Sequence, residues 1–371
     1  MRRTEQYARA HVATDGFTVE RSRAEAGPAA AKPLAARVVD RVLEATVVGS
    51  FSKFGYQARS RLEHWTDLAP ARDLSVVITG GTSGLGLETC VELARLGASV
   101  TFVARDRERA SRARDLIARR SGHDGVRFVL ADLADLESVR RLAADYLGQQ
   151  AGLDVLTHNA GTLGRHYERA PGGTERTLAT HVLGPFLLTG LLLPALSRRS
   201  GERDGPGRVL TVSSGGMYTQ PFDLDRLEAT PDGFDGVAAY ARSKRAQVVL
   251  NRAWAARIDP GEVVFHAMHP GWADTPGLRS SLPGFARVSR PLLRTPAQGV
   301  DTLVWLTQAP EAAQGSGRFW LDRQPRSEHK LPWTRPTSPD RDQTLLWEWC
   351  AARAEWPDGH QAGVVTDLGS P

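Results

Sequence analysis

The chain of 371 residues is 41% hydrophobic and 24% charged, which supports a sizeable α/β core and excludes disorder throughout. Its 36 glycines follow no Gly-X-Y period, which excludes a collagen-like fibre. Forty-seven basic residues face 42 acidic ones, and residues 1–72 hold twelve basic against eight acidic side chains, leaving the remainder at only +1. A nucleic-acid binder would concentrate Lys and Arg on its folded part, so no nucleic-acid partner is expected.

Two cysteines, Cys90 and Cys350, supply neither a disulfide framework nor a zinc site on their own, and no metal is expected. No run of 18 apolar residues occurs, so no transmembrane segment is expected. The nearest candidate, residues 182–196, is shorter than a span and holds Gly184, Pro185, Gly190 and Pro194; it reads as a buried helix. The first thirty residues lack an apolar core followed by a small-residue cleavage site, so a cytoplasmic location is expected.

Along the chain, residues 1–33 are polar and aperiodic and read as a mobile arm. Residues 34–72 form a helical extension: Leu34, Val38, Val42, Leu43, Val47, Val48 and Phe51 recur at helical spacing, which predicts one or two amphipathic helices. Arg37, Arg41 and Lys53 lie beside those apolar positions, so peripheral membrane contact is open, although Asp40 and Glu44 dilute the charge and favour packing within the chain. From residue 73 to 325, short β-branched or aromatic runs at 74–78, 99–103, 126–130, 153–156, 208–212, 263–267 and 317–321 alternate with helical patterns. Seven strands separated by helices require crossovers, so the fold is α/β: a doubly wound Rossmann-type parallel sheet. Residues 326–371, with a helical stretch near 340–356 and several of the nine tryptophans, read as an extension packed on that domain.

The first strand runs into Thr79-Gly80-Gly81-Thr82-Ser83-Gly84-Leu85-Gly86 before a helix, a turn whose amides and missing Cβ atoms suit a pyrophosphate. The second strand ends at Arg105, where a protein selecting NAD(H) would place an acid for the ribose hydroxyls. A guanidinium there pairs with a 2′-phosphate, so NADP(H) is favoured over NAD(H), with Arg109 a weaker helper. Tyr240 and Lys244 stand four residues apart on one helix face, and the cation is expected to lower the pKa of the phenol. Ser214 places a hydroxyl at the carboxyl end of the fifth strand, where ligands bind in this architecture.

In this order the motifs resemble the short-chain dehydrogenase/reductase superfamily: Thr79 to Gly86, then Asp132-Leu133, Asn159-Ala160-Gly161, Ser214, Tyr240 with Lys244, and Pro270-Gly271 with Thr275. A narrower similarity, to the dehydrogenase/reductase family member 12 group, lies in Ser213 to Met217, Lys244 to Leu250, Met268 to Gly277, Ser316 to Phe319 and Phe54-Gly55-Tyr56. The resemblance implies that Tyr240 is the general acid or base, that Lys244 also binds the nicotinamide ribose, and that Ser214 holds the substrate oxygen. It also implies Asp132 near the adenine, Asn159 near its ribose, and Pro270 to Thr275 near the carboxamide. Two positions depart from the pattern: His158 stands before Asn159, and His181 replaces an asparagine whose backbone carbonyl holds a relay water. His181 is therefore a catalytic candidate through that carbonyl or through its ring.

The expected activity is NADP(H)-dependent hydride transfer between nicotinamide and a small-molecule carbonyl or alcohol, bulky and hydrophobic given the apolar stretches at 34–65 and 280–293. The alternative is a cofactor-binding regulatory or scaffolding protein with little turnover. The helices at 173–199 and 237–258 resemble those that pair subunits in the superfamily, so a homo-oligomer is open, with the arm and tail able to cover that surface.

Overall fold

A computed structural model describes residues 34–149, 152–202 and 205–356. The segment expected to be a mobile arm, 1–33, and the last part of the C-terminal extension, 357–371, lie outside the described residues. The N-terminal extension holds three short helices where one or two were expected: α1 (Leu34–Glu44), α2 (Val47–Phe51) and α3 (Lys53–Leu62). Thr46 interrupts the first two by capping α2, its side chain accepting from the Gly49 N–H at 3.0 Å, and Ser52 is extended between α2 and α3.

The strands follow as expected from their β-branched runs: β1 (Ser75–Thr79), β2 (Ser99–Ala104), β3 (Val126–Leu130), β4 (Val155–His158), β5 (Gly207–Val212), β6 (Val263–Met268) and β7 (Arg318–Leu321). They pair in parallel in the order β3-β2-β1-β4-β5-β6-β7, with the order reversing between β1 and β4. An eighth strand, β8 (Gln324–Pro325), joins β7 antiparallel. Two residues are too few to carry an alternating pattern, so sequence periodicity could not show it.

Helices α4 (Gly84–Arg95), α5 (Arg107–Ser121) and α6 (Leu136–Gln149) cross between the first strands. After β4 come α7 (Arg176–Leu178), a π-helical turn at Ala179–Leu183, and α8 (Gly184–Glu202). They are followed by α9 (Gly236–Ala255), α10 (Pro276–Ser281), α11 (Pro283–Ser289), α12 (Pro296–Leu306), α13 (Pro310–Ala313) and α14 (Pro339–Arg353). Successive strand residues point to opposite faces. Val76 and Ile78 thus pack with Leu93 and Leu303 on one side, while Val77 joins Leu156, Phe186 and Leu250 on the other. Burial on both faces is why the strands read as continuous apolar runs.

The helix Arg176–Arg198 is long and apolar enough to cross a bilayer, but 78% of its apolar window is buried inside the fold. Trp347 of α14 meets Trp254 of α9 at 4.7 Å and Phe186 of α8 at 5.1 Å between ring centroids, so the chain's own tail covers the α8–α9 face.

The turn between β7 and β8 is made by Asp322 and Arg323, both left-handed at φ +55° and +54°. That two-residue geometry matches the twist of a hairpin and turns the Asp322 carboxylate inward. There it accepts from Arg59 Nη1 at 2.6 Å and from Arg294 Nη1 and Nη2 at 2.6 and 2.9 Å, with all three residues at most 1% exposed. Arg59 continues to Asp40 at 2.7 Å, and Arg326 adds two bonds to the same carboxylate at 2.7 and 2.8 Å. Burial by itself would raise the pKa of Asp40; Arg326 and Arg59 outweigh it and hold the group at about 2 instead of its ordinary 3.8.

Asp322→Ala should cost about 3–5 kcal/mol in chemical denaturation, because it strands two buried guanidinium groups; a loss under about 1 kcal/mol would show that the fold does not need this pairing. For Asp40 the folded pKa is depressed, so its contribution of about 2 kcal/mol is complete above pH 4 and disappears as pH falls toward 2. Asp40→Asn should flatten the stability profile over that window.

Candidate active site

The carboxyl end of β1 turns through Gly80, at φ +75°, into α4. Thr79 Oγ1 accepts from the Asn159 and Ala160 N–H groups at 3.0 Å each, while Asn159 Nδ2 donates to the carbonyls of Thr79 at 3.0 Å and Gly80 at 3.2 Å. The Asn159 side chain, expected near the adenine ribose, thus holds the turn closed. A Cβ at Gly86 would lie 2.2 Å from the Gly80 oxygen and 2.3 Å from Asn159 Nδ2, so only glycine permits this approach. Thr82, Ser83, Gly84 and Leu85 carry the chain into the first turn of α4, where Ser83 is the N-cap residue but makes no side-chain cap bond. That turn follows β1, whose neighbour β4 marks the reversal of strand order, and the free N–H groups of a helix's first turn suit an anion.

Thr275, which caps α10 by accepting from the Leu278 N–H at 3.1 Å, approaches the same turn: a Cβ built on Gly84 would be 3.7 Å from its own. The loop Pro270-Gly271-Trp272 before it is anchored from outside the sheet. Gly271 is left-handed at φ +69°, and a Cβ there would lie 2.7 Å from the Phe51 carbonyl oxygen. The Trp272 N–H donates to that carbonyl at 2.8 Å.

Arg105 is exposed just past β2. The neighbouring Asp106 is spent on capping α5, accepting from the Arg109 N–H at 2.7 Å. Among the described residues neither Arg105 nor Arg109 pairs with a carboxylate. Asp132 is committed locally: Oδ1 accepts from the Ala134 N–H at 3.0 Å and Oδ2 from Arg176 at 2.7 Å, while Leu133 is buried.

Ser214 caps the 3₁₀ turn Gly215–Thr219, its hydroxyl accepting from the Gly216 N–H at 3.2 Å, and it lies beside the Tyr240 ring: a Cβ on Gly216 would be 3.6 Å from Ser214 Oγ and 3.9 Å from Tyr240 Cε1. Lys244 Nζ lies 5.6 Å from the Tyr240 ring centroid and donates to the Val212 carbonyl at 2.9 Å and Gln247 Oε1 at 3.0 Å. The expected lowering of the phenol by the lysine is not what this geometry produces. Burial raises the Tyr240 pKa, with the neighbouring Ser214 opposing it, and burial pushes Lys244 itself down to about 7. The lysine is aimed at Val212 and Gln247, which is the physical reason.

His181 sits in the π-helical turn and is fully buried. Nε2 accepts from the Thr162 N–H at 2.9 Å, so the proton is on Nδ1, which donates to Ser243 Oγ at 2.8 Å; that hydroxyl donates to the Tyr240 carbonyl at 2.8 Å. Burial and then Lys244 hold the ring well below its ordinary pKa. The His181 carbonyl accepts from Gln247 Nε2 at 2.9 Å, so one amide joins it to Lys244. A Cβ on Gly161 would be 3.2 Å from His181 Nε2 and 3.7 Å from Lys244 Nζ. His158 lines one small cavity with His181 and Gln247, its Nε2 on Thr189 Oγ1 at 2.8 Å.

A short chain dehydrogenase family profile matches residues 75–283. The chain belongs to the short-chain dehydrogenase family. Dehydrogenase/reductase SDR family member 12 of Bos taurus is 40% identical over 302 residues, covering 80% of this chain and 92% of that protein. Retinol dehydrogenase 14 of Mus musculus is 34% identical, over 70% and 80% of the two chains. A crystal structure of a Mycobacterium paratuberculosis protein, 28% identical, superposes with a TM-score of 0.61 over 78% of this chain and 97% of its own. An enzyme of Beutenbergia cavernae, named as an NAD(P)-dependent gluconate 5-dehydrogenase and solved with bound NADP, is 26% identical, with a TM-score of 0.55 over 68% and 96%. As a member of this family the protein is a nicotinamide-dependent oxidoreductase, and the glycine cradle fits the dinucleotide.

Sequence reasoning missed Gln247, Ser243 and Phe51. Gln247 stands three residues after Lys244 and Ser243 three after Tyr240 on the same helix, a spacing signal that was available; Phe51 lies far away in sequence and had none.

Because its ring stays neutral, His181 in this dehydrogenase should add no limb to the pH–rate profile between pH 5 and 8, and His181→Asn should change turnover by less than about tenfold. A limb near pH 6.5 present in the wild type and lost in the variant would show that the imidazole titrates during turnover.

Proposed function

We propose that the protein transfers hydride between NADP(H) and the carbonyl carbon of a bulky hydrophobic ketone or aldehyde, or the corresponding alcohol. The observation that carries this reading is the placing of Ser214 beside Tyr240, where a Cβ on Gly216 would be 3.6 Å from Ser214 Oγ and 3.9 Å from Tyr240 Cε1, with Lys244 one helical turn away at the carboxyl edge of the sheet. When bound, the nicotinamide supplies or accepts the hydride. Ser214 holds the substrate oxygen, and the Tyr240 hydroxyl gives it a proton in reduction or takes one in oxidation. Lys244, held by Val212 and Gln247, is placed to bind the nicotinamide ribose.

Arg105 supports NADP(H), since it stands exposed where an acid would serve NAD(H) and the adjacent Asp106 is engaged as a helix cap. Trp272 and Phe285, edge to face at 5.2 Å, support an apolar substrate, as does the name of the retinol dehydrogenase relative. Two buried, free cysteines support a cytoplasmic location.

A cofactor-binding protein with little turnover is the second reading. One observation favours it: Gln247 links Lys244 to the His181 carbonyl through an amide, which does not pass protons as a chain of water does. Screening NADPH oxidation over a panel of apolar aldehydes and ketones separates the two, with binding but no turnover supporting the second.

Tyr240→Phe should lower turnover by roughly 10²–10⁴ with cofactor binding retained. Arg105→Ala should weaken NADPH by about tenfold or more and leave NADH nearly unchanged, because only NADPH carries the 2′-phosphate. A wild-type preference for NADH in titration would overturn the cofactor assignment.

A further inference from the structure

A surface helix of a soluble protein normally turns its apolar stripe to the core and its charges to water. α1 does the reverse. Its carboxylates face the protein: Asp40 takes Arg59 and Arg326 at 2.7 Å, and Glu44 pairs with Arg59 at 3.2 Å and with Lys330. Three of its five Leu and Val residues face outward, while Val39 and Leu43 are half-buried. Leu34, Val38 and Val42, four apart and therefore on one face, are 75%, 52% and 66% exposed. Val47 and Val48 of α2 and Phe54 of α3 extend this surface, each about half exposed.

The exposed charges of α1 and α2 are Arg37 and Arg41. At 100° per residue Arg41 falls about 20° from Leu34, at the edge of the stripe. Lys53 sits beside Phe54, its Nζ 5.5 Å from the ring centroid. The acidic residues that seemed from sequence to dilute this charge are turned inward, so the outer face is apolar with a basic margin.

The charge distribution decides what covers it. A second copy meeting the same face would bring Arg37 and Arg41 against their own counterparts, at a cost in repulsion. Lipid phosphates and carboxylates complement that margin while the acyl boundary takes the aliphatic side chains, and long basic side chains reach readily from such a position to headgroups. On their inner side the same helices reach the site: buried Phe51 at the end of α2 meets Trp272 at 6.2 Å, and Trp272 meets Phe285 of α11 at 5.2 Å; Val288, one turn on, is 82% exposed.

We propose that the outer face of α1–α3 docks on an anionic lipid bilayer, with Leu34, Val38 and Val42 in the headgroup boundary and Arg37, Arg41 and Lys53 on the lipid charges. The same helices brace the Trp272 loop of the site from their inner side. Docking does not depend on the proposed hydride transfer; only the delivery of an apolar substrate from the bilayer rests on that reading.

The test is flotation of the full chain with vesicles of phosphatidylcholine alone and of phosphatidylcholine with phosphatidylserine, which needs no turnover. Binding to the serine-containing vesicles should be tighter by about tenfold, and most of that difference should be lost at about 0.5 M NaCl. Val38→Asn with Val42→Asn should weaken binding about tenfold or more, and Arg37→Gln with Arg41→Gln should remove the preference for phosphatidylserine, with melting temperatures unchanged. Absence of flotation with both vesicle types would overturn the proposal, as would equal flotation of the Asn variant. Light scattering that shows a wild-type dimer broken by the same Asn substitutions would assign the face to a second copy instead.

Discussion

Asp322 is held between Arg59 and Arg294 where water does not reach, and three separate parts of the chain meet on that carboxylate. The hairpin after β7 delivers it, the N-terminal helix α3 delivers one guanidinium, and the segment before α12 delivers the other. Two cations on one buried anion would leave excess charge, and the surplus is met by Asp40 on Arg59 and by the carbonyls of Ser50, Phe51 and Ser52 on Arg294. Each buried group therefore has a partner, which is the condition under which such a cluster is tolerated.

That cluster explains why the N-terminal helices belong to the active site. Arg294 binds the Phe51 carbonyl, the Trp272 N–H binds the same oxygen, and the Arg294 N–H binds the Trp272 carbonyl at 2.7 Å. Phe51 also packs behind the serine turn: a Cβ on Gly215 would be 2.8 Å from its ring. The loop that closes the cofactor crevice and the strand end that carries Ser214 are thus braced by residues some two hundred positions earlier.

Within the site, burial sets the electrostatics more than pairing does. It raises the Tyr240 phenol and lowers Lys244 to about 7, both toward their neutral forms. The side chains around them are ordered by hydrogen bonds through Ser243, His181 and Gln247. A neutral His181 fits this setting because its ring has a backbone donor on one nitrogen and a hydroxyl on the other.

The order of strands and helices, the glycine turn, and the Ser214, Tyr240 and Lys244 positions were legible in the sequence by itself. Each depends on local rules: period two or 3.6, the steric demands of a tight turn, and a four-residue helical spacing. Roles that depend on contacts between distant segments were not legible. Asn159 and Asp132 bear motif positions, yet their side chains bind Thr79, Gly80 and Arg176. Asp40 and Glu44 read as surface charge on an amphipathic helix, and only the folded chain shows them turned onto Arg59, Arg326 and Lys330, because a helical period fixes which residues share a face but not which way that face looks. That choice was made by Arg59, on a neighbouring helix, and by Arg326 and Lys330, 286 residues away, whose pairing with the two carboxylates outweighed the burial of three aliphatic side chains.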